Sequence, residues 1–145
     1  MLEVDLYPRC AEARLVEALT DSPVVLLHGP RQSGKTTLAR VVGNRLGYAY
    51  VSFDDDVARG GAESDPAGFV ADLPDRTILD EVQRVPALFA ALKTAVDRRR
   101  VPGRFILTGS ANVRLVPRIS DSLAGRMEIL RLHPLAQFEL ERRSS

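Results

Sequence analysis

The sequence predicts an α/β fold, a parallel sheet covered by helices on both faces. Short apolar runs alternate with amphipathic helical patterns along the chain, as in repeated strand–helix–strand units. The first of them, Val24-Val25-Leu26-Leu27, is unbroken and rich in β-branched residues, which suits a strand buried on both sides. A length of 145 residues supports one domain. At that size roughly two-thirds of the unfolded surface can be buried, so a single sizeable core is feasible.

Residues 9–19 read as an amphipathic helix, with Ala11, Leu15, Ala18 and Leu19 on one side. Asp21-Ser22-Pro23 stops it. Val24-Val25-Leu26-Leu27 is the first strand. A glycine-containing loop from Gly29 to Gly34 then enters a helix that runs to Leu46, where Gly47 is placed as its C-terminal cap. Tyr48 to Phe53 is the second strand, ending in three aspartates. Residues 57–64 contain Gly60-Gly61 without clear periodicity and are expected to be a loop. Asp65-Pro66 combines an N-cap with proline at the first helical position and starts a short helix to about Leu73. Thr77-Ile78-Leu79 is the third strand. Pro86 to Arg100 is a helix with Leu88, Phe89, Leu92, Ala95 and Val96 on its core face, broken by Pro102-Gly103. Phe105-Ile106-Leu107 is the fourth strand, a loop with Pro117 follows, and Met127 to Leu132 is the fifth. The chain thus divides into an N-terminal helix region (1–22), a core (23–132) and a tail (133–145).

Composition is that of an ordinary soluble globular domain, 45% hydrophobic and 27% charged, which excludes collagen and wholesale disorder. No apolar run approaches the ~18–20 residues needed to span a bilayer, and no leader pattern is seen, so a cytoplasmic domain is expected. The single cysteine, Cys10, cannot form an internal disulfide and reads as a free thiol of a reducing compartment. The net charge of +1 hides an asymmetry: residues 1–97 carry 10 basic and 15 acidic side chains, residues 98–145 carry 10 and 4. Eighteen of the basic residues are arginine and two are lysine, and one of the lysines stands in Gly34-Lys35-Thr36.

Gly29-Pro30-Arg31-Gln32-Ser33-Gly34-Lys35-Thr36 satisfies the G-x-x-x-x-G-K-[ST] pattern, with a buried strand before it and a helix after it. Successive backbone N–H groups of such a loop face phosphate oxygens, and the following helix presents its positive end to the same anion. Residues 29–37, including Thr37, form the candidate nucleotide loop. Within it Lys35 is placed to reach the β- and γ-phosphates and the Thr36 hydroxyl to ligate Mg²⁺. Arg31 either leans over the nucleotide or faces solvent.

Asp80-Glu81 stands at the carboxyl end of the third strand, the edge where open α/β sheets bind ligands. Asp80 is the candidate second partner of the cation. Glu81, pointing elsewhere, is the candidate to orient or deprotonate an attacking water, which favours hydrolysis. Thr108-Gly109-Ser110 ends the fourth strand at the same edge. Thr108, Ser110 and Asn112 are the candidates to contact the γ-phosphate or its water, and Thr108 is preferred. Arg126, behind Gly125, either stabilises the transferring phosphoryl group, in cis or from a neighbouring subunit, or forms a structural ion pair. Arg98-Arg99-Arg100 suits the negative end of a helix. No interleaved aromatics accompany it for base stacking. His28 and His133 lack metal-ligand spacing.

Taken together these landmarks resemble the AAA+ ATPases. The likeness is nearer to a group of bacterial and archaeal predicted ATPases with an N-terminal AAA+ module and an uncharacterised C-terminal domain. It is carried by the blocks 29–38, 79–86, 105–110, 122–126 and 132–135, in the family's order, from about Arg9 to Glu139. The resemblance implies a three-layer P-loop NTPase core with five parallel strands in the order 5-1-4-3-2, binding ATP with Mg²⁺. It assigns Lys35 and Thr36 to Walker A, Asp80 and Glu81 to Walker B, and Thr108 or Ser110 to the first sensor. Arg126 becomes a family arginine, either finger or sensor. The helical lid and C-terminal domain of the family are not expected within this chain, which stops soon after the fifth strand.

The expected function is therefore an ATP-binding module with Mg²⁺-dependent hydrolysis. The alternative is a non-hydrolysing nucleotide-binding or regulatory module. A small-molecule kinase lacks a recognisable lid segment here. The absence of Asn-Lys-x-Asp argues against GTP, and the absence of Leu-Ser-Gly-Gly-Gln against a transporter-type ATPase. A homo-oligomer, a protein partner and DNA are the partners left open; a membrane is not expected.

Overall fold

The computed structural model describes residues 3–6, 11–30, 34–110, 121 and 123–132. Within them lie six parallel strands: β1 (Glu3–Leu6), β2 (Val24–Gly29), β3 (Ala49–Ser52), β4 (Thr77–Asp80), β5 (Phe105–Ser110) and β6 (Met127–Leu132). The helices are α1 (Ala11–Asp21), α2 (Lys35–Leu46), α3 (Asp56–Ser64), α4 (Pro66–Ala71) and α5 (Leu88–Arg98). Spatial order across the sheet is β1-β6-β2-β5-β4-β3. Counted from Val24, the five expected strands stand in the order 5-1-4-3-2.

The order explains why β2 and β5 are apolar almost throughout. Both are interior strands, and each hides one set of side chains on either face of the sheet. Val24, Leu26, Leu79, Phe105, Leu107 and Ile129 pack with Leu88, Phe89, Leu92 and Val96 of α5, Val70 of α4 and Ala62 of α3. The alternate residues Val25, Leu27, Ile78, Ile106 and Leu130 pack with Leu15 and Ala18 of α1 and Leu38 and Val42 of α2. Two cores thus sandwich one sheet, and the period of two along each strand assigns every side chain to one of them.

Three features depart from the sequence expectations. β1 adds a sixth strand, paired with β6 in the register Glu3↔Ile129 to Leu6↔Leu132, so the N-terminal region is not helical throughout. The polar–apolar alternation Glu3-Val4-Asp5-Leu6 is a strand signal, but a short one whose partner lies over 120 residues away. Second, residues 56–64 form a helix rather than the expected loop. Asp55 caps it, its side chain accepting from the Ala58 N–H at 3.3 Å, and Ala62 is fully buried. Capping and burial outweigh the roughly 1 kcal/mol that each of Gly60 and Gly61 costs a helix. Third, a 3-10 turn over Val82–Arg84 precedes the helix expected from Pro86, which is α5 with the bounds Leu88–Arg98. The expected tail 133–145, the Pro117 loop and Cys10 lie outside the described residues.

The turn before β5 depends on glycine. Gly103 has φ +73°, its N–H donates to the Ser22 carbonyl at 2.8 Å, and its own carbonyl accepts the Tyr48 hydroxyl. A Cβ there would stand 2.9 Å from both the Leu19 carbonyl oxygen and the Tyr48 hydroxyl. Backbone strain and a backbone clash add, so Gly103→Ala is expected to lower stability by about 2–3 kcal/mol. The midpoint of urea unfolding measures it. Gly47→Ala, with φ +81° but open space around the new methyl, is the control and should cost about 1 kcal/mol.

Candidate nucleotide-binding site

The carboxyl ends of β2, β4 and β5 converge where α2 begins. β2 brings the chain to Gly29, and Gly34, at φ 87°, turns it into α2, the Leu38 N–H donating to the Gly34 carbonyl at 2.8 Å. A left-handed backbone at the start of a helix leaves the first N–H groups of α2 pointing out from the end of the sheet, with the positive pole of the helix behind them. Arg31, Gln32 and Ser33 lie outside the described residues. Lys35, in the first turn, is only 5% exposed. Thr36 and Thr37 are half-buried beside it.

Asp80 gathers three hydroxyls. Its Oδ1 accepts from Thr36 at 2.8 Å and from Thr108, and its Oδ2 accepts from Tyr50 at 2.7 Å. The group is 5% exposed, and the three donors replace the water that burial removes. Burial first, then the bond to Asp80, pushes the Tyr50 hydroxyl up to about 12, so it remains a donor at any physiological pH.

Glu81 follows with φ 60° and ψ 48°, the one positive φ outside glycine among the described residues. Its carboxylate has other side-chain partners than that of Asp80. Its backbone N–H donates to the Thr108 hydroxyl at 3.0 Å, and Thr108 donates onward to Asp80. One threonine on β5 therefore holds both acidic residues. The Glu81 carboxylate accepts from the Gln83 side-chain amide and from Ser110 at 3.3 Å, and it lies 3.7 Å from the Lys35 ammonium. Strain of order 1–3 kcal/mol in a non-glycine left-handed residue is typical of functional positions.

Lys35, Thr36, Asp80, Glu81, Thr108 and Ser110 are thus brought together as the sequence predicted. Thr108 is engaged by both acids and Ser110 by Glu81 alone; Asn112 lies outside the described residues. Arg126 is not brought there. Its carbonyl accepts from the Val24 N–H at 3.2 Å, which places it at the start of β2 while Gly29 is at its end, some 15–20 Å away at strand rise. Its guanidinium grips Asp97 of α5 through Nε and Nη2 and holds that carboxyl below its ordinary range. A cis contribution of Arg126 to phosphate on this chain's own loop is contradicted by that position, and the ion pair is what the structure contains. Tyr50 and Gln83 are site residues that sequence reasoning missed. Gln83 stood within a quoted block without a role, and nothing in Tyr48-Ala49-Tyr50 signals a hydroxyl aimed at the next strand.

An open groove of about 410 Å³ between α4 and α5, lined by Pro66, Val70, Ala91 and Ala95 among others, is separate from this cluster. It lies on the face of the sheet opposite α2. Among the described residues no helix is long and apolar enough to cross a membrane.

A parallel sheet in this strand order, with a glycine-flanked strand end feeding a helix at its centre, is a P-loop NTPase core. The chain belongs to the AAA domain family, whose model matches residues 21–141. An uncharacterised protein of Mycobacterium tuberculosis strain H37Rv is 44% identical over 127 residues, covering 88% of this chain and 29% of that protein. The chain therefore spans less than a third of this curated relative. Among solved structures, the T158V form of RuvB from Thermotoga maritima superposes with a TM-score of 0.59 at 22% identity, over 88% of this chain and 45% of that one. AMPPCP-bound DnaA from Aquifex aeolicus gives 0.58 at 17% identity, over 94% and 49%. At these identities the two structures attest the shared fold.

The donor set also bears on which metal would suit the site. No group of three or more His, Cys, Asp or Glu side chains is placed to hold a metal among the described residues. One hydroxyl and one carboxylate on a common side, linked by a 2.8 Å hydrogen bond, are instead the sparse oxygen set of Mg²⁺, which keeps waters and takes further oxygens from phosphates. Thr36 and Asp80 fit that ion.

Proposed function

We propose that the chain is an ATP-binding AAA+ module that hydrolyses ATP with Mg²⁺. The observation that carries this is the single cluster at the end of β2, β4 and β5: Lys35 and Thr36 on the helix, Asp80 and Glu81 on the strand, and Thr108 tying both acids together. In this reading residues 29–37 are the Walker A loop and bind the phosphates through backbone N–H groups and the Lys35 ammonium. Bound Mg²⁺ would neutralise charge on the β- and γ-phosphates and be held by Thr36 and Asp80. Thr36 donates its proton to Asp80, which leaves its oxygen lone pairs for the cation.

Glu81 is the general base of the proposal. Its carboxylate lies 3.7 Å from the Lys35 ammonium, and it takes a proton from, or orients, the water that attacks the terminal phosphorus. Thr108, in the first-sensor position, sets the Glu81 backbone and the Asp80 carboxylate in one geometry. Arg126 faces away from this site, so any role of it in phosphoryl transfer belongs to a neighbouring copy, in a homo-oligomer. DNA or a protein as the object of the ATP cycle, and a cytoplasmic location, belong to the same proposal.

Lys35→Ala tests the binding step. Removing the ammonium takes away the cation beside Glu81 and leaves that carboxylate without its charge partner. Affinity for a fluorescent ATP analogue in excess Mg²⁺ is expected to fall by roughly 100-fold, the worth of about 2–3 kcal/mol for a hydrogen bond between charged groups. Wild-type protein, shown folded by circular dichroism, that binds no nucleotide overturns the proposal.

A further inference from the structure

Asp80 is held from two sides. On the Oδ1 side stand Thr36 and Thr108, both within the phosphate-site cluster. On the Oδ2 side stands Tyr50, which reaches across from the edge strand β3 with its hydroxyl at 2.7 Å. Tyr50 is 37% exposed, so its ring is not there to fill the core. One face of that ring carries the guanidinium of Arg40, 4.5 Å from the centroid. Arg40 is on α2, four residues after Thr36, so the same helical face that supplies Thr36 to Asp80 also pins the tyrosine that holds the carboxylate's other oxygen.

The two oxygens of a carboxylate turn together about the Cβ–Cγ bond, so a donor on Oδ2 restrains Oδ1 as well. With both fixed, the direction of Oδ1 toward Thr36 is set before any cation arrives. Outer partners of this kind orient a ligand and tune its metal affinity without touching the metal. The cation over the ring also polarises the phenol and strengthens its O–H as a donor.

Building on the proposed function, we propose that Tyr50, clamped by Arg40, is a positioning residue that presets Asp80 for the Mg²⁺ that accompanies the nucleotide. It acts on the cation requirement rather than on the nucleotide itself. The hydroxyl accordingly affects how much Mg²⁺ the site needs, while the phosphate contacts of residues 29–37 are left as they were.

The test is equilibrium binding of a fluorescent ATP analogue to the whole chain, titrated with Mg²⁺ and repeated in EDTA. Tyr50→Phe keeps the ring, its packing and its contact with Arg40, and removes the hydroxyl alone. The Mg²⁺ concentration for half-maximal binding should rise by roughly tenfold, the low end for an outer-shell partner, with the metal-free affinity unchanged. Excess Mg²⁺ should restore wild-type binding. Arg40→Leu should give a smaller rise in the same direction, and Tyr50→Phe on top of Arg40→Leu should add less than it does alone. A merely structural role would lower affinity in EDTA and in Mg²⁺ alike. That result, or a Mg²⁺ midpoint identical to wild type, overturns the positioning role. Absence of any nucleotide binding by wild type is a different outcome, and it overturns the proposed function beneath it.

Discussion

Glu81→Gln is expected to leave MgATP binding within about twofold of wild type while phosphate release falls by roughly 10²- to 10⁴-fold, the range for loss of a general base. The amide keeps the size of the side chain and an oxygen able to accept from Ser110, so the left-handed turn and the Thr108 bond to its backbone survive. What disappears is the negative charge beside Lys35 and the capacity to take a proton. Binding of a fluorescent ATP analogue and steady-state phosphate release, measured on the same preparation, separate the two effects. Release that is unchanged in the variant removes Glu81 from the chemistry and leaves a binding module.

Asp80→Asn carries the second large effect, and here stability and cation dependence move together. Three hydroxyls donate to this buried carboxylate, and an amide offers one acceptor oxygen and one donor nitrogen in its place. If the oxygen stays toward Thr36 and Thr108, the nitrogen meets Tyr50, whose hydroxyl can turn to accept. If the amide is reversed, two hydroxyls face a donor. The first arrangement is the cheaper, and the neutral acceptor also weakens bonds that were charge-assisted. A loss of about 1–3 kcal/mol of stability is expected from the urea midpoint. The Mg²⁺ concentration for half-maximal nucleotide binding should rise by at least roughly 10- to 100-fold. A variant with wild-type stability would mean that the three hydroxyl bonds contribute little. A wild-type Mg²⁺ midpoint would remove Asp80 from the cation site.

Much of this was legible in the sequence because the features are local. The candidate nucleotide loop is a contiguous pattern whose glycines and lysine are set by spacing alone, and Val24–Leu27 and Phe105–Leu107 declare themselves as interior strands by being apolar on both sides. Asp80-Glu81 could be placed at the ligand edge once Thr77–Leu79 was read as a strand. The parts that escaped depend on distance or on competition. α3 was hidden by two adjacent glycines, whose cost is overcome by a cap and a buried alanine that only the tertiary structure reveals. Tyr50 is polar at its tip alone, and its partner lies 30 residues on. Arg126 lay in a stretch that suggested phosphate chemistry, but the direction of β6 puts it at the far edge with Asp97.

The position of β6 also orders events as the chain is made. It lies between β2 and β1, so the first of the described strands has no neighbour among them until the last has appeared. Until then the flank of β2 is an open row of unpaired amides and carbonyls, and residues 3–6 wait without a place. The centre of the sheet can assemble through β2 and β5 earlier, and the final strand then closes two gaps at once. A ribosome that stalls short of residue 127 leaves β2 with a bare edge, and that interval is when an unfinished chain is most open to pairing with a stranger.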